Sequence, residues 1–375
     1  MGFSTPMVLT SADALSMPNL HASSIFSDEI TRWQQAYGRN SLPWQNTRDP
    51  YRVWLSEIML QQTQVATVLA YYDRFLQHFP TVGALAIAEQ DEVLALWSGL
   101  GYYSRARNLH RCAQDVMALH AGQFPRSAEQ LQTLPGIGRS TAAAVAAFCF
   151  GERVAILDGN VKRVLARVLG FSADLAQPMN ERALWLKATE LLPEDDLTQS
   201  MPRYTQGLMD LGATICTSRQ PKCLLCPVQA MCHGAVSGEP EKFPVKIRKL
   251  KRSAQAMSLL WAQKIDGSVW LEKRPVKGIW GGLYCLPVFE SDEDLRAFLP
   301  QGMDEQIKPL PAFLHVLTHK DLYLSPWLAN FQLDEAMPDI GNSEMSTGGW
   351  FTSTQWPALG LPAPIRKLLA KVASV

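Results

Sequence analysis

The chain has 375 residues, of which 47% are hydrophobic and 19% charged, so it is long enough for two or three domains with sizeable cores. Lys and Arg together number 35, as do Asp and Glu, and this balance excludes a protein that binds nucleic acid through bulk positive charge, although it permits a local basic face. The sequence contains no run of about 18 apolar residues, which excludes a membrane-spanning helix.

The N-terminal residues do not match a targeting signal. Met1-Gly2 begins like a myristoylation site, but Pro6 stands where Ser or Thr is required. Residues 1–18 lack the basic region and the unbroken apolar core of a signal peptide. We therefore expect a cytoplasmic protein, nucleoid-associated in a bacterium, with a loose extension over residues 1–24.

Residues 25–231 have a helical pattern, because apolar residues recur every three or four positions and the breaks fall at Gly and Pro. Asp49-Pro50 predicts the start of a helix, with Asp49 as N-cap and Pro50 in the first turn. Further helices are predicted over residues 91–97, 104–119 and 140–150.

Glu57 interrupts the apolar stretch 53–60 of the helix that Asp49 begins. Buried Glu is rare unless it is paired or functional, and burial favours the neutral carboxyl, which can act as a general acid. The alternative is that Glu57 faces solvent on an amphipathic helix.

Amide, aromatic and basic residues follow Glu57 in two segments, 61–64 and 99–103, the second just before Arg105 and Arg107. Amide and aromatic side chains can insert into a base stack while the arginines hold phosphates. As isolated features, such residues are more often part of the surface or the core.

Gly136 and Gly138 stand just before a predicted helix, in the segment 134–142. Glycines allow close approach of the backbone, and the free N–H groups and dipole of a helix N-terminus attract a phosphate. The segment predicts either a hairpin that grips a DNA backbone without reading its sequence or a plain turn between helices.

Asp158 stands at the start of a helical segment, residues 158–165. Its simplest role is that of an N-cap. A carboxylate at a helix N-terminus also stays ionised and can face a developing cation.

Four of the seven Cys lie within residues 216–232, in the pattern Cys-x6-Cys-x2-Cys-x5-Cys. An odd, clustered set favours a metal site over a disulfide framework. The single short pair and two wider gaps suit an iron–sulfur cluster better than zinc, although the spacing leaves zinc, or no metal, open. The four thiols are Cys216, Cys223, Cys226 and Cys232.

The pattern changes after Cys232. Residues 234–252 are rich in Gly, Pro and charge, and end in a basic run that predicts a solvated linker or one that lies along DNA phosphates. The following residues have period two, with strands predicted over 256–262 and 268–272 around an Asp266-Gly267 hairpin. Further strands (313–317, 322–324) and helices (292–299, 364–372) predict an α+β domain.

Taken together, the motifs around Glu57, Tyr102, Gly136 and Asp158 and the four-Cys loop occur in the order found in helix-hairpin-helix DNA glycosylases. Among these enzymes the chain most resembles the adenine DNA glycosylases, the MutY family, densely over residues 27–233 and weakly beyond. The resemblance implies an all-α glycosylase domain over residues 25–233, with an iron–sulfur loop at 216–232.

The resemblance assigns catalytic roles by position. It implies that Glu57 protonates adenine N7 and that Asp158 stabilises the oxocarbenium sugar. Ser140 occupies the position where endonuclease III carries a Schiff-base Lys, and a hydroxyl cannot form that base, so strand cleavage should be weak.

Further residues match DNA- and metal-contacting positions of the family. Gln61 and Tyr102 match residues that enter the duplex, Gly136 and Gly138 belong to the phosphate-gripping hairpin, and the four thiols match the ligands of one 4Fe–4S cluster. Trp44 and Gln206 fall near positions that line the adenine pocket. Gln45 departs from the Arg that some members carry.

Residues 253–375 resemble the Nudix-like domain of the same family. Residues 280–287 match the stretch before a Nudix box, but the box itself, with its metal-binding Glu row, is missing from 290–299. The resemblance implies a reader of 8-oxoguanine that uses Thr318 and His319. Leu317 departs from the Phe that the family often has there.

The sequence therefore predicts a monomeric, monofunctional glycosylase that acts on adenine opposite 8-oxoguanine or G in double-stranded DNA, with no membrane partner. Two alternatives stay open. One is an endonuclease III-like pyrimidine glycosylase with lyase activity, and the other is a non-catalytic DNA-damage binding module.

Overall fold

The computed structural model describes residues 20–245, 252–300, 302–303, 307–338 and 348–372. Most of the loose extension predicted at the N-terminus and the basic run at 246–251 lie outside these residues. The described residues divide into two compact units, the first comprising 20–40 with 151–245 and the second 41–150 with 252–372. None of the helices in this part of the chain has the length and apolarity that crossing a membrane requires.

The N-terminal two thirds of the described chain are helical. In chain order the helices are α1 (Leu20–Tyr37), α2 (Pro50–Leu60), α3 (Val65–His78), α4 (Val82–Ile87), α5 (Gln90–Trp97), α6 (Ser104–His120), α7 (Ala128–Leu131), α8 (Arg139–Phe150), α9 (Gly159–Val168), α10 (Pro178–Glu190), α11 (Leu197–Thr214) and α12 (His233–Val236). The predicted helix start at Asp49 is confirmed, since its carboxylate accepts the Tyr51 N–H at 2.9 Å. The helices predicted to end at Trp97 and Phe150 are also confirmed.

In the first unit, α1 and α9 each pack against α11. Small residues on α11 allow this approach, because a Cβ on Gly207 would lie 2.7 Å from the Ile30 side chain and one on Gly212 would lie 2.7 Å from Asn160. The Phe26 and Tyr204 rings pack edge to face, with their centroids 6.2 Å apart. The close packing positions the N-terminus of α9.

In the second unit, α2 packs on α8. Helix α8 presents an almost unbroken run of buried alanines, which lets the larger buried side chains of α2 approach its backbone. Trp54 and Leu55 on α2 are fully buried. The C-terminal end of α2 and the N-terminal end of α8 carry the residues singled out from the sequence.

The second unit also contains a mixed eight-stranded sheet, as far as the described residues show. Its strands and helices are β1 (Ser253–Lys264), β2 (Val269–Lys273), β3 (Tyr284–Cys285), β4 (Val288–Phe289), α13 (Asp292–Phe298), β5 (Lys308–Pro309), β6 (Phe313–Val316), β7 (Lys320–Phe331), β8 (Gly348–Phe351) and α14 (Ala363–Val372). The order is β3-β2-β1-β7-β5, with β4 on β1, β6 on β7 and β8 on β2. The predicted α+β class is confirmed.

Strand β1 is central, because it pairs in parallel with β7 along its whole length, from Ser253↔Lys320 to Lys264↔Phe331. The predicted hairpin after β1 is confirmed: Gly267 has φ +81°, and Asp266 accepts the Ser268 N–H at 2.9 Å. Buried Leu260 and Phe331 pack with Leu295 of α13 to form the core on one face of the sheet.

The C-terminal segment contacts the helices within the second unit. Ser98, at the end of α5, donates to Leu361 O at 2.9 Å and accepts from Arg366 Nε at 3.1 Å. Tyr103 OH donates to the same carbonyl at 3.2 Å, and Lys273 pairs with Asp91 at 2.9 Å. The sheet is therefore docked on α5 and α6 through polar contacts that fix its position.

Candidate DNA-binding and catalytic site

Glu57 lies in the C-terminal half of α2, half-buried between two buried neighbours, Ser56 and Ile58. Burial raises the pKa of the Cys149 thiol on α8 to about 12, and the negative charges of Asp49 and Glu57 add to that effect. The Glu57 side chain is therefore partly shielded from solvent.

Asp158 is the N-cap of α9, as predicted, and its Oδ1 accepts the Val161 N–H at 2.7 Å. Burial raises the pKa of Asp158, while the N–H groups of Val161 and Asn160, and then the charges of Arg163 and Lys162, act in the opposite direction. The helix end thus holds a half-buried carboxylate that two backbone N–H groups stabilise in its ionised form.

The segment before α8 contains the two glycines of the predicted hairpin. Gly136 has φ +75°, and a Cβ there would lie 2.7 Å from the Asn108 side chain, so only glycine fits. A Cβ on Gly138 would meet no atom within 4 Å, which leaves its backbone open to a ligand. Ser140 is half-buried in the first turn of α8, where backbone N–H groups have no partner within the helix.

Gln61 and Tyr102 lie in two strained segments of the second unit. Gln62 has φ +56° and Tyr102 has φ +48°, values that non-glycine residues rarely adopt. Gln61 Nε2 donates to Thr141 Oγ1 at 3.2 Å, next to Ser140. The structure therefore brings the Gln61 side chain to the N-terminal turn of α8.

The sequence suggests Arg105 as a residue that holds a phosphate. In the structure Arg105 is only 8% exposed and is not available to a phosphate. Its Nη1 donates to the carbonyls of Ile58, Met59 and Gln61 at 2.6–3.0 Å. Its Nη2 donates to the carbonyls of Leu100 and Gly101 and to Thr63 Oγ1 at 3.1–3.2 Å. One guanidinium thus joins the end of α2 to the segment before α6.

Burial lowers the pKa of Arg105 to about 10. Arg107 is also engaged, since its Nη1 donates to Gly281 O at 2.6 Å. Sequence reasoning missed both roles, because several of the acceptors are backbone carbonyls from distant segments.

Trp44 and Gln206 lie in different units. Trp44 is buried and meets the edge of Tyr72 with ring centroids 5.3 Å apart. Gln45 accepts the Leu42 N–H at 3.3 Å, and its buried Nε2 has no hydrogen-bond partner in the described part of the chain. Gln206 is half-buried on α11 and donates to Asp210 at 2.8 Å.

The four-Cys loop follows α11. Burial raises the pKa of the Cys226 thiol to about 12, and the charges of Cys216, Cys232 and Cys223 add to the shift. As placed, no three His, Cys, Asp or Glu side chains among the described residues form a metal-binding group. The donor set nevertheless fits a soft metal centre, because it consists of four thiols in one short loop.

Two arginines of α9 hold the backbone of this loop. Arg163 Nε donates to Cys216 O at 2.8 Å, and buried Arg167 donates to Thr217 O at 2.7 Å and to Cys216 Sγ at 3.3 Å. The loop is therefore anchored to the helix that Asp158 caps.

Thr318 and His319 are exposed at the turn between β6 and β7, which the Leu317 N–H closes by donating to Lys320 O at 2.8 Å. The hydroxyls of Thr318 and Tyr102 are hydrogen-bonded to each other. Arg252 pairs with Asp321 and donates to Leu317 O at 3.0 Å, which braces the turn. This basic residue, predicted in the linker, thus supports the loop.

Comparisons with known proteins identify the families of the helical and the C-terminal domain. Residues 55–189 match the HhH-GPD superfamily base excision DNA repair protein family, and residues 258–371 match the NUDIX domain family. A thermostable thymine-DNA glycosylase structure is 29% identical with a TM-score of 0.50, covering 57% of this chain and 97% of that one.

Two curated adenine DNA glycosylases extend the match to most of the chain. The enzyme of Buchnera aphidicola subsp. Baizongia pistaciae is 35% identical over 353 residues, which cover 93% of this chain and 97% of the relative. The enzyme of Mus musculus is 44% identical over 377 residues, covering 83% of this chain and 71% of the relative. The chain therefore belongs to the adenine DNA glycosylase family, base excision repair enzymes with an HhH-GPD domain and a Nudix-like domain.

Proposed function

We propose that this enzyme removes adenine opposite 8-oxoguanine, and opposite G, from double-stranded DNA by hydrolysis without strand cleavage. The contact between Tyr102 and Thr318 carries the proposal. It joins the proposed 8-oxoguanine-reading loop to the aromatic residue that we expect to enter the duplex. The enzyme acts as a cytoplasmic monomer.

The reaction begins when adenine leaves the base stack, which costs about a few kcal/mol. Glu57 gives its proton to adenine N7, so the base departs as a neutral leaving group when the N-glycosidic bond breaks. The bonding electrons go to adenine, and the sugar becomes an oxocarbenium cation. The half-buried position of Glu57 suits a carboxyl that must be protonated before the reaction.

Asp158 stabilises the cation as a carboxylate. Backbone N–H donors at the start of α9 and the nearby charges of Arg163 and Lys162 favour its ionised form, against the effect of burial. Water then adds to the sugar and loses a proton to solvent, which leaves an abasic site. Ser140 contributes no amine, so no Schiff base forms and the strand stays intact.

Cys216, Cys223, Cys226 and Cys232 would hold one 4Fe–4S cluster. The bound cluster would give the loop a rigid shape, and Arg219, Lys222 and His233 in or beside it are exposed and able to contact phosphates. The chain's own contribution is the anchoring of this loop by Arg163 and Arg167.

A single-turnover assay on duplexes with A opposite 8-oxoguanine, A opposite G, and T opposite G tests the proposal. We expect release of adenine from the first two, fastest opposite 8-oxoguanine, and breakage of the product strand only after alkali. Release of a pyrimidine, or a covalent adduct trapped by borohydride, would favour the endonuclease III-like alternative. Binding without base release would favour the non-catalytic module.

A further inference from the structure

The segment 98–103 joins α5 to α6 and carries Tyr102 in a strained backbone conformation. Gly99 has φ +109° and Tyr102 has φ +48°. A non-glycine residue keeps such a conformation only when the surrounding groups hold the chain in place. One such group is Tyr71 of α3, whose hydroxyl donates to Ser98 O at 2.8 Å and would collide with a Cβ on Gly99. The helical part of the unit therefore holds the beginning of the segment.

The C-terminal domain also holds this segment. Ser98 Oγ donates to Leu361 O at 2.9 Å and accepts from Arg366 Nε at 3.1 Å. Tyr103 OH donates to the same Leu361 carbonyl at 3.2 Å. One carbonyl thus bonds to the first and the last residue of the segment, so its position constrains the backbone on both sides of Tyr102.

Arg366 determines where that carbonyl lies. Its side chain is half-buried on α14, and its two remaining nitrogens donate to Pro357 O at 3.0 Å and to Leu359 O at 2.7 Å. The guanidinium thus fastens the stretch that leads to Leu361, while its Nε holds Ser98. Because the three acceptors are two carbonyls and a hydroxyl, the planar fork with its several donors matters here more than its charge.

We propose that Arg366 is a positioning residue, which acts through Ser98 to hold the segment 98–103 in the conformation that presents Tyr102 to the duplex. The inference rests on the proposed function, in which Tyr102 enters the duplex. Arg366 itself does not touch the DNA or the base opposite adenine. Its contribution is therefore the same for every mispair, unlike that of Thr318, so the C-terminal domain has a second role beside reading the lesion.

A double-mutant cycle of R366M and S98A tests whether the arginine acts through Ser98. We expect each single variant to lower the single-turnover rate about fivefold, as for the loss of one hydrogen bond, on A opposite 8-oxoguanine and on A opposite G alike. The double variant should be no slower than the slower single variant. A loss that multiplies to about 25-fold in the double variant would show independent effects and overturn the inference.

The opening of the duplex gives a readout that a general loss of stability does not change. The fluorescence of 2-aminopurine, placed beside the purine opposite adenine, rises when that base loses its stacking neighbour. A 2′-fluoro-2′-deoxyadenosine in the target position keeps the base attached, because the fluorine disfavours the oxocarbenium cation. At saturating protein, R366M and S98A should each give a smaller rise than the wild type on both duplexes.

The matched control is K371M, which removes an exposed positive charge from the same helix. Its rates and its fluorescence rise should equal those of the wild type. S98A removes only a hydroxyl and covers the case in which R366M does not fold. A wild-type rate or fluorescence rise in either variant, or a loss on one duplex alone, would overturn the inference. A wild type that raises the fluorescence but releases no adenine would overturn the proposed function instead.

Discussion

Tyr102 and Thr318 are 216 positions apart in the chain, and their side-chain hydroxyls form a hydrogen bond. Tyr102 has φ +48° and belongs to the segment held by Arg105, whereas Thr318 lies on the turn braced by Arg252. Two segments that are held by different arginines therefore meet through a hydrogen bond between side chains. The turn that we propose reads the lesion is therefore in direct contact with the residue that we propose enters the duplex.

Replacing Thr318 by Val removes the hydroxyl with little change of shape. We expect single-turnover excision of A opposite 8-oxoguanine to fall about fivefold, as for one hydrogen bond, and excision of A opposite G to fall less. Thr352→Val, which removes another exposed hydroxyl of the same domain, is the control and should leave both rates unchanged. An equal loss on both duplexes would contradict lesion reading by this turn.

Glu57→Gln keeps the size of the side chain and removes the acidic proton. We expect DNA binding to persist and the single-turnover rate to fall about 10²-fold or more, as for loss of a positioned general acid. Glu92→Gln, at an exposed position on α5, should behave as wild type. A single-turnover rate of Glu57→Gln within threefold of the wild-type rate would show that Glu57 is not the general acid.

The pH dependence should report Asp158, whose pKa burial raises above the ordinary Asp value. The proposed role needs the carboxylate, so the rate should fall as pH decreases through this raised pKa. Lys162→Met removes a charge that lowers the pKa, and it should therefore move the acidic limb of the rate profile to higher pH. The control Lys187→Met, on α10, should leave the acidic limb of the rate profile at the pH of the wild type. If Lys162→Met also left it there, the assignment of this limb to Asp158 would be wrong.

The raised pKa of Asp158 also makes the stability of the folded protein depend on pH. The folded protein binds the Asp158 proton more tightly than the unfolded chain does, so this group's contribution to stability decreases as pH rises from the ordinary Asp pKa through the raised one. The decrease should be smaller in Asp158→Asn, measured by denaturant unfolding at several pH values.

Arg105→Lys keeps a positive charge but loses the planar fork that bonds to five backbone carbonyls. We expect a lower melting temperature and at least tenfold weaker binding of the A:8-oxoguanine duplex, because the segments of Gln61 and Tyr102 are no longer held together. Arg111→Lys, at an exposed position on the same helix, should change neither quantity. Unchanged DNA affinity in Arg105→Lys would show that Arg105 serves stability alone.

The sequence predicts the helix starts, because these depend on interactions between residues close together in the chain. Asp49-Pro50 begins α2 and Asp158 caps α9 because each cap bonds to N–H groups two or three residues away. Arg105 could not be placed in this way, since its acceptors belong to segments more than 40 positions earlier as well as to its own turn.

Strand β7 is longer than the sequence predicts, because its length also depends on a distant segment of the chain. The sequence predicts a strand only over residues 322–324. In the sheet, Pro326 is opposite Leu259 of β1, and its carbonyl accepts the Leu310 N–H at 2.9 Å. Pairing with β1 along twelve residues extends the strand to Phe331 despite the proline.

The parallel pairing of β1 with β7 also determines the order in which the C-terminal domain can assemble during synthesis. Residues 265–319 separate the two strands. The edge of β1 that pairs with β7 therefore stays uncovered until the ribosome has released the chain through Phe331. Until then, the backbone of a strand with six consecutive buried positions, from Met257 to Ala262, stays open to other chains. Chains terminated between the two strands should therefore aggregate, whereas those terminated before Ser253 lack the exposed edge.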